Sequence, residues 1–155
     1  MNKELSSSVQ DLFADHGLRC TRQRVTIYEH LAADKTHPTA DGLFRKVSQH
    51  VEGVSLATVY NTLEALCQAG LAQRLPAGDG GSAHYDANVE RHLHTRCTRT
   101  GEVADVPPEL SDAVLARLPA DVLARIEAEM GFNVRRVQIE LIGETKPPAT
   151  RPRTT

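Results

Sequence analysis

The sequence predicts an α+β fold, with helices filling the first half and a smaller mixed α/β part behind them. Three observations predict it. Apolar residues recur at helical spacing in four successive windows before residue 70. Two short extended runs then flank a Gly-rich stretch. After residue 87 the texture changes to alternating strand-like and helical segments.

The elements follow in order. Leu5, Val9, Leu12 and Phe13 mark a first helix, stopped at Gly17. Thr21 is an N-cap candidate for a second, with Val25, Ile27, Tyr28 and Leu31 inward. His37-Pro38 breaks the chain, and Thr39 caps a third helix carrying Leu43, Phe44, Val47 and Val51, ended by Gly53. Ser55 caps a fourth, with Val59, Leu63, Leu66 and Cys67 inward and Gly70 as its stop. Leu71–Leu75 and Ala83–Asp86 then read as a hairpin around Pro76-Ala77-Gly78-Asp79-Gly80-Gly81. Helices followed by a hairpin fit a winged helix-turn-helix, and a plain helical bundle with a loop fits the periodicity nearly as well.

Behind a boundary near residues 87–91, Leu93–Cys97 and Glu102–Val106 read as strands around a turn at Gly101. Pro107-Pro108 opens a helical stretch through Leu110, Val114, Leu118, Val122 and Ile126, broken near Pro119 and stopped by Gly131. Phe132, Val134, Val137, Ile139 and Leu141 suggest a last strand, with a bulge at Arg135-Arg136. The Pro/Thr/Arg-rich residues 146–155 read as a disordered tail. The expected domains are 1–87 and 88–145. The second is too small for a generous core of its own, so pairing with a second copy is expected.

Composition narrows the function. The chain has 155 residues, 40% hydrophobic and 25% charged, which is ordinary for a globular protein. No apolar run reaches the ~18–20 residues of a membrane helix. Met1 to Ser8 lacks the apolar core of a signal peptide, so a cytoplasmic location is expected. Net charge is −2, and Lys+Arg against Asp+Glu stand at 8 to 8 over residues 1–76 and 10 to 12 thereafter. Nucleic-acid binding would therefore need a local patch. Cys20, Cys67 and Cys97 form no C-x-x-C, which excludes a disulfide framework and a Cys-rich zinc site. They read as small buried or inert residues.

The histidines carry more information. In a strand, His92 and His94 share a face while Leu93 points away. Two exposed strand histidines are the plain alternative. Asp86, Asp105 and the loop residue His37 could complete a set of three imidazoles and two carboxylates. Two aspartates cancel a divalent charge, and the mixed donors suit Fe(II), Mn(II) or Zn(II). On the fourth helix, Thr58, Tyr60 and Asn61 point away from the apolar face, as base-reading side chains would. Arg19, Arg22 and Arg24 cluster at the start of the second helix, where they could grip phosphate. Both groups could equally be solvated helix faces.

Four motifs, in order and spacing, resemble the ferric uptake regulator family over about residues 10–106. They are Gly17-Leu18-Arg19-Cys20-Thr21-Arg22-Gln23-Arg24, His37-Pro38-Thr39-Ala40-Asp41-Gly42-Leu43-Phe44, Ser55-Leu56-Ala57-Thr58-Val59-Tyr60-Asn61-Thr62-Leu63, and Tyr85-Asp86 followed by His92-Leu93-His94. The resemblance implies a winged helix-turn-helix DNA-binding domain and an α/β dimerisation domain. It implies a homodimeric, metal-dependent repressor that binds double-stranded operator DNA and is not an enzyme. A small metalloenzyme on the same histidines is the rival class. No general base is legible for it, and it leaves the fourth-helix motif unexplained.

Within the family, aspartate at positions 86 and 105 and Asn61 after Tyr60 resemble the peroxide-sensing (PerR-like) branch. The resemblance then assigns His37, Asp86, His92, His94 and Asp105 to the regulatory metal, Fe(II) or Mn(II) with Zn(II) possible. It assigns Arg19, Arg22, Thr58, Tyr60 and Asn61 to DNA, and Fe(II)-dependent peroxide oxidation to His37 and His92. A repressor reporting Fe, Mn or Zn supply without peroxide chemistry is the alternative. There are two departures from the family pattern. Thr100 stands at the partner position of Cys97 and no C-terminal cysteine pair follows, so the family's structural zinc site should be missing. Arg91, Leu93 and the absence of any later histidine leave one metal per protomer.

Overall fold

A computed structural model describes residues 2–78 and 81–146, with side chains from residue 8 onward. The chain divides into two compact units, Met1–Glu90 and Arg91–Thr155.

The first unit opens with α1 (Asn2–Asp15), α2 (Arg22–Ala33), α3 (Ala40–Val47) and α4 (Leu56–Gln68). Three of these starts are set by local chemistry. The hydroxyls of Thr21, Thr39 and Ser55 accept from the backbone N–H groups of Arg24, Gly42 and Thr58, satisfying donors that have no intrahelical partner. Gly17 and Gly70 take the left-handed conformation beyond α1 and α4, which a side chain would strain. Phe13, Ile27, Leu31, Leu43, Val59, Leu63 and Leu66 form the centre of the core. Two strands follow, β1 (Gln73–Leu75) and β2 (His84–Asp86), paired antiparallel with Gln73 opposite Asp86. Asp79 and Gly80 of the expected Gly-rich tip lie outside the described residues.

One boundary differs from expectation. The third helix ends at Val47 rather than running to Gly53. Val51 is buried all the same, from a turn whose N–H groups at His50 and Val51 both bond to the Val47 carbonyl. A turn and a further helical turn bury the same apolar position, so periodicity could not separate them.

The second unit contains β3 (His94–Cys97), β4 (Val103–Asp105), α5 (Pro108–Leu115), α6 (Ala120–Met130) and β5 (Glu140–Gly143). The sheet order is β4-β3-β5. β3 and β4 are antiparallel around Gly101, and β5 joins β3 in parallel. Buried Arg96 on β3 is paired with Glu140 on β5 at 2.8 Å. α6 buries none of its residues.

The last strand is shorter than expected. Residues 132–139 form no described strand. The Val134 N–H bonds instead to the Glu127 carboxylate at 2.7 Å, and Phe132 is 60% exposed. The apolar spacing there was never a strict alternation, so no single face specifies a register. Residues 147–155 of the expected tail lie outside the described residues. Among the described residues, no helix is long and apolar enough to cross a membrane.

Candidate metal centre and DNA-facing helix

In the first unit, His37 and Asp86 come together although 49 positions separate them, with Nε2 and Oδ2 at 3.6 Å. Two hydrogen bonds and a β-bridge build that meeting. The Tyr85 N–H donates to the Pro38 carbonyl at 3.0 Å, His84 Nδ1 donates to the His37 carbonyl, and Thr39 bridges His84 as a β-partner. The loop before α3 is thus stitched to the end of β2. His37 is buried and sits at φ 51°, the left-handed region that a residue with a Cβ rarely occupies. Such strain persists where the surroundings over-determine it, which is common at ligand-holding positions.

Asp86 is oriented from two sides. Gln73 Nε2 donates to its Oδ2 at 2.8 Å, and the Asn88 N–H donates to its Oδ1 at 2.7 Å. Gln73 Nε2 also reaches the Asn88 carbonyl at 2.6 Å. Sequence reasoning missed Gln73. Its signal was available only through the hairpin register, which places Gln73 opposite Asp86.

In the second unit, His94 and Asp105 are register partners across β3 and β4. Asp105 Oδ1 lies 3.0 Å from His92 Nε2 and 3.4 Å from His94 Nε2. The two imidazole centroids are 4.4 Å apart. β3 starts at His94 rather than at the expected Leu93, so His92 and Leu93 precede the strand; Leu93, between the two imidazoles, is buried. Its N–H donates to the buried Ser111 hydroxyl at 3.1 Å, and that hydroxyl donates to the Val106 carbonyl. Ser111 at the start of α5 therefore anchors the histidine pair, and sequence reasoning missed it as well.

These spacings suit a metal. Two ligand atoms on one ion, each bonded at about 2.1 Å, stand about 3–3.5 Å apart. Within each unit the nitrogen and carboxylate oxygen atoms are close to that separation. The donors are borderline imidazoles and hard carboxylates, which fits divalent iron, manganese or zinc. None of the three cysteines belongs to the set.

The cysteines themselves need a correction. Cys20 is exposed, Cys67 is half-buried and Cys97 is buried. The exposed Cys20 departs from the expected burial, whereas at buried Cys97 hydroxyl and backbone hydrogen bonds from Thr100 and Thr145 hold the thiol down to about 6. The Thr145 Oγ1–Sγ distance is 3.2 Å.

The expected DNA residues all lie in the first unit. Tyr60 and Asn61 are exposed on α4, whereas Thr58 is half-buried with its hydroxyl 2.8 Å from that of Ser55. The Tyr60 hydroxyl donates to Asp41 Oδ2 on α3 at 3.2 Å. That carboxylate, mainly through its charge, raises the phenol's pKa and keeps it a donor. Arg19 and Arg22 are exposed at the start of α2, and the Arg24 guanidinium is spent on the Arg19 carbonyl at 3.2 Å.

The chain as a whole is similar to known proteins. The model of the ferric uptake regulator family matches residues 15–142. The peroxide-responsive repressor PerR of Staphylococcus saprophyticus is 32% identical over 144 residues, covering 92% of this chain and 90% of that protein. Its counterpart in Staphylococcus aureus is 34% identical over 145 residues, with the same coverage. The ferric uptake regulator from Pseudomonas aeruginosa, solved with manganese, superposes with a TM-score of 0.62 at 29% identity, covering 89% of this chain and 98% of that one. The Campylobacter jejuni peroxide stress regulator reaches 0.64 at 22% identity, covering 92% and 97%, and speaks for the fold. The chain belongs to the ferric uptake regulator family.

Proposed function

We propose that this chain is a metal-dependent, homodimeric, DNA-binding repressor that responds to peroxide through oxidation of a ligand histidine. The observation that carries this reading is the donor set. Asp86 is held against His37 in one unit, and Asp105 against both His92 and His94 in the other. These five residues would hold one divalent ion, Fe(II) or Mn(II), with Zn(II) as a further candidate. The curated relatives of this chain are named as peroxide-responsive repressors, which supports the same reading.

This chain's residues have defined tasks in that scheme. Gln73 and the Asn88 N–H aim the Asp86 carboxylate, and Ser111 sets the His92–His94 segment. With ligands drawn from both units, occupancy would favour one arrangement of a dimer that must fit two DNA half-sites. Tyr60 and Asn61 on α4 would read base edges, with Thr58 beside them, while Arg19 and Arg22 would take phosphates. Leu110, Val114, Ile126, Met130, Leu141 and Ile142 leave a large apolar area exposed on the second unit, which a second copy would cover. With no structural cysteine site, that dimer would rest on packing.

Bound Fe(II) would supply the redox chemistry for peroxide: the O–O bond breaks, one oxygen is inserted into a ring C–H of His37 or His92, and the other leaves as water. The test is operator binding by the purified protein loaded with Mn(II) or Fe(II), before and after a low dose of H2O2. The expected result is loss of DNA by the Fe(II) form alone, with a gain of one oxygen on the His37 or His92 peptide. If both forms keep DNA and no histidine is oxidised, the protein is a regulator of metal supply. If neither metal promotes DNA binding, the repressor reading itself fails.

A further inference from the structure

A second pair of histidines lies within the first unit, sharing no residue with the set above. His30 is half-buried in the last turn of α2, and His50 is exposed in the turn after α3. Their ring centroids are 4.8 Å apart with the planes tilted by 47°. Two imidazoles on one ion at a bond length of about 2.0–2.1 Å would place their centroids about 4.5–5 Å apart. The His92–His94 pair shows a similar separation, 4.4 Å.

The protonation of His50 is set for coordination. Its Nδ1 lies 2.9 Å from the Lys46 carbonyl. A carbonyl only accepts, so Nδ1 carries the proton and a neutral ring keeps its lone pair on Nε2. A backbone carbonyl on the second ring nitrogen is the usual support of a metal-ligating histidine. We propose that His30 and His50 form a second site, for a borderline divalent ion such as Zn(II), that fastens α2 to the turn after α3.

The surrounding charges are compatible. Glu29, Asp34 and Lys46 face His30 along with His50. Lys46 is ion-paired to Asp34, so its charge is already matched, and Glu29 and Arg22, which both line the adjoining cleft, leave no excess of either sign. Burial, followed by His50, pushes the His30 imidazole below its ordinary pKa, so it is neutral near pH 7. An open cleft of about 780 Å³, lined by His30 and His50 together with Arg22 and Glu29, leaves room for water ligands. Two nitrogens with water suit ions that prefer imidazole over all-oxygen cages, which excludes Mg(II) and Ca(II).

The test is a Zn(II) titration of the tag-free, full-length protein against a chromophoric chelator. The His30→Ala/His50→Ala variant should bind one equivalent fewer per protomer than the unsubstituted chain. A variant at the other cluster, Asp105→Ala, should retain the equivalent that the double variant loses. As a check independent of substitution, imidazole nitrogen resonances of the unsubstituted protein should show Nε2 of His50 and a nitrogen of His30 shifting with Zn(II). Equal stoichiometry in the double variant, or no shift at either ring, overturns the site.

Discussion

His94 and Asp105 are directly opposite in the antiparallel register of β3 and β4, and the same Asp105 oxygen lies 3.0 Å from His92 and 3.4 Å from His94. One carboxylate therefore sets both imidazoles. Asp105→Ala should abolish metal-dependent DNA binding while far-UV circular dichroism stays unchanged. Gln73→Ala acts one step back, through Asp86. It should weaken metal affinity by about 10–100-fold, the usual range for a residue that orients a ligand. Metal competition assays on both variants check this, and unchanged affinity in Gln73→Ala would remove its positioning role.

His37 combines a backbone strain with a proposed ligand, and the two can be separated. At φ 51° any Cβ is disfavoured by about 1–2 kcal/mol, while glycine is not. His37→Gly should therefore melt above His37→Ala, although both lose metal response. Equal melting temperatures would show that the loop relaxes without strain.

On α4, Asn61→Ala should cost about 1–3 kcal/mol of discrimination between operator and unrelated DNA. Arg22→Ala should weaken both nearly equally and reduce the salt slope by about one. Tyr60→Phe removes the donor to Asp41 and should lower operator affinity without changing the salt slope. Affinities measured over a salt series distinguish these three outcomes.

His30 makes the first unit sensitive to acid. Its folded pKa lies below the ordinary 6.5, chiefly through burial. Above 6.5 the ring is neutral in both states and costs nothing. As pH falls from 6.5 towards the folded value, the unfolded chain takes up a proton that the folded chain does not, so stability falls. His30→Asn should flatten that part of the stability curve, measured by denaturant melts between pH 7 and pH 5 without metal.

Cys97 should behave as a thiolate at neutral pH. Alkylation of Cys97, followed by mass spectrometry, should show a midpoint at about 6. Thr100→Val and Thr145→Val should each move the midpoint upward by removing a donor hydroxyl. A midpoint in the ordinary cysteine range for the unsubstituted protein would refute the hydrogen-bonded thiolate.

The sequence by itself determined whatever is local in physical origin. N-caps at Thr21, Thr39 and Ser55 act within one turn, so the helix starts were legible to the residue. The close spacing of His92 and His94 and the antiparallel strands around Gly101 were legible, and they bring Asp105 within reach of both imidazoles although His92 itself lies just before β3. Motif order and spacing were enough to name the family. Only the tertiary structure decided the rest. The Gln73–Asp86 bond, the Ser111 anchor, the left-handed His37 and the parallel β5 all depend on pairings between distant segments. The approach of His30 to His50 came from packing α2 against the end of α3, and no spacing along the chain encodes it. The hydrogen bond to the Cys97 sulfur comes from a threonine 48 positions away, which reaches it only because β5 lies beside β3. Local propensity and periodicity are written in consecutive residues, whereas a hydrogen bond across a fold exists only once the core has chosen its register.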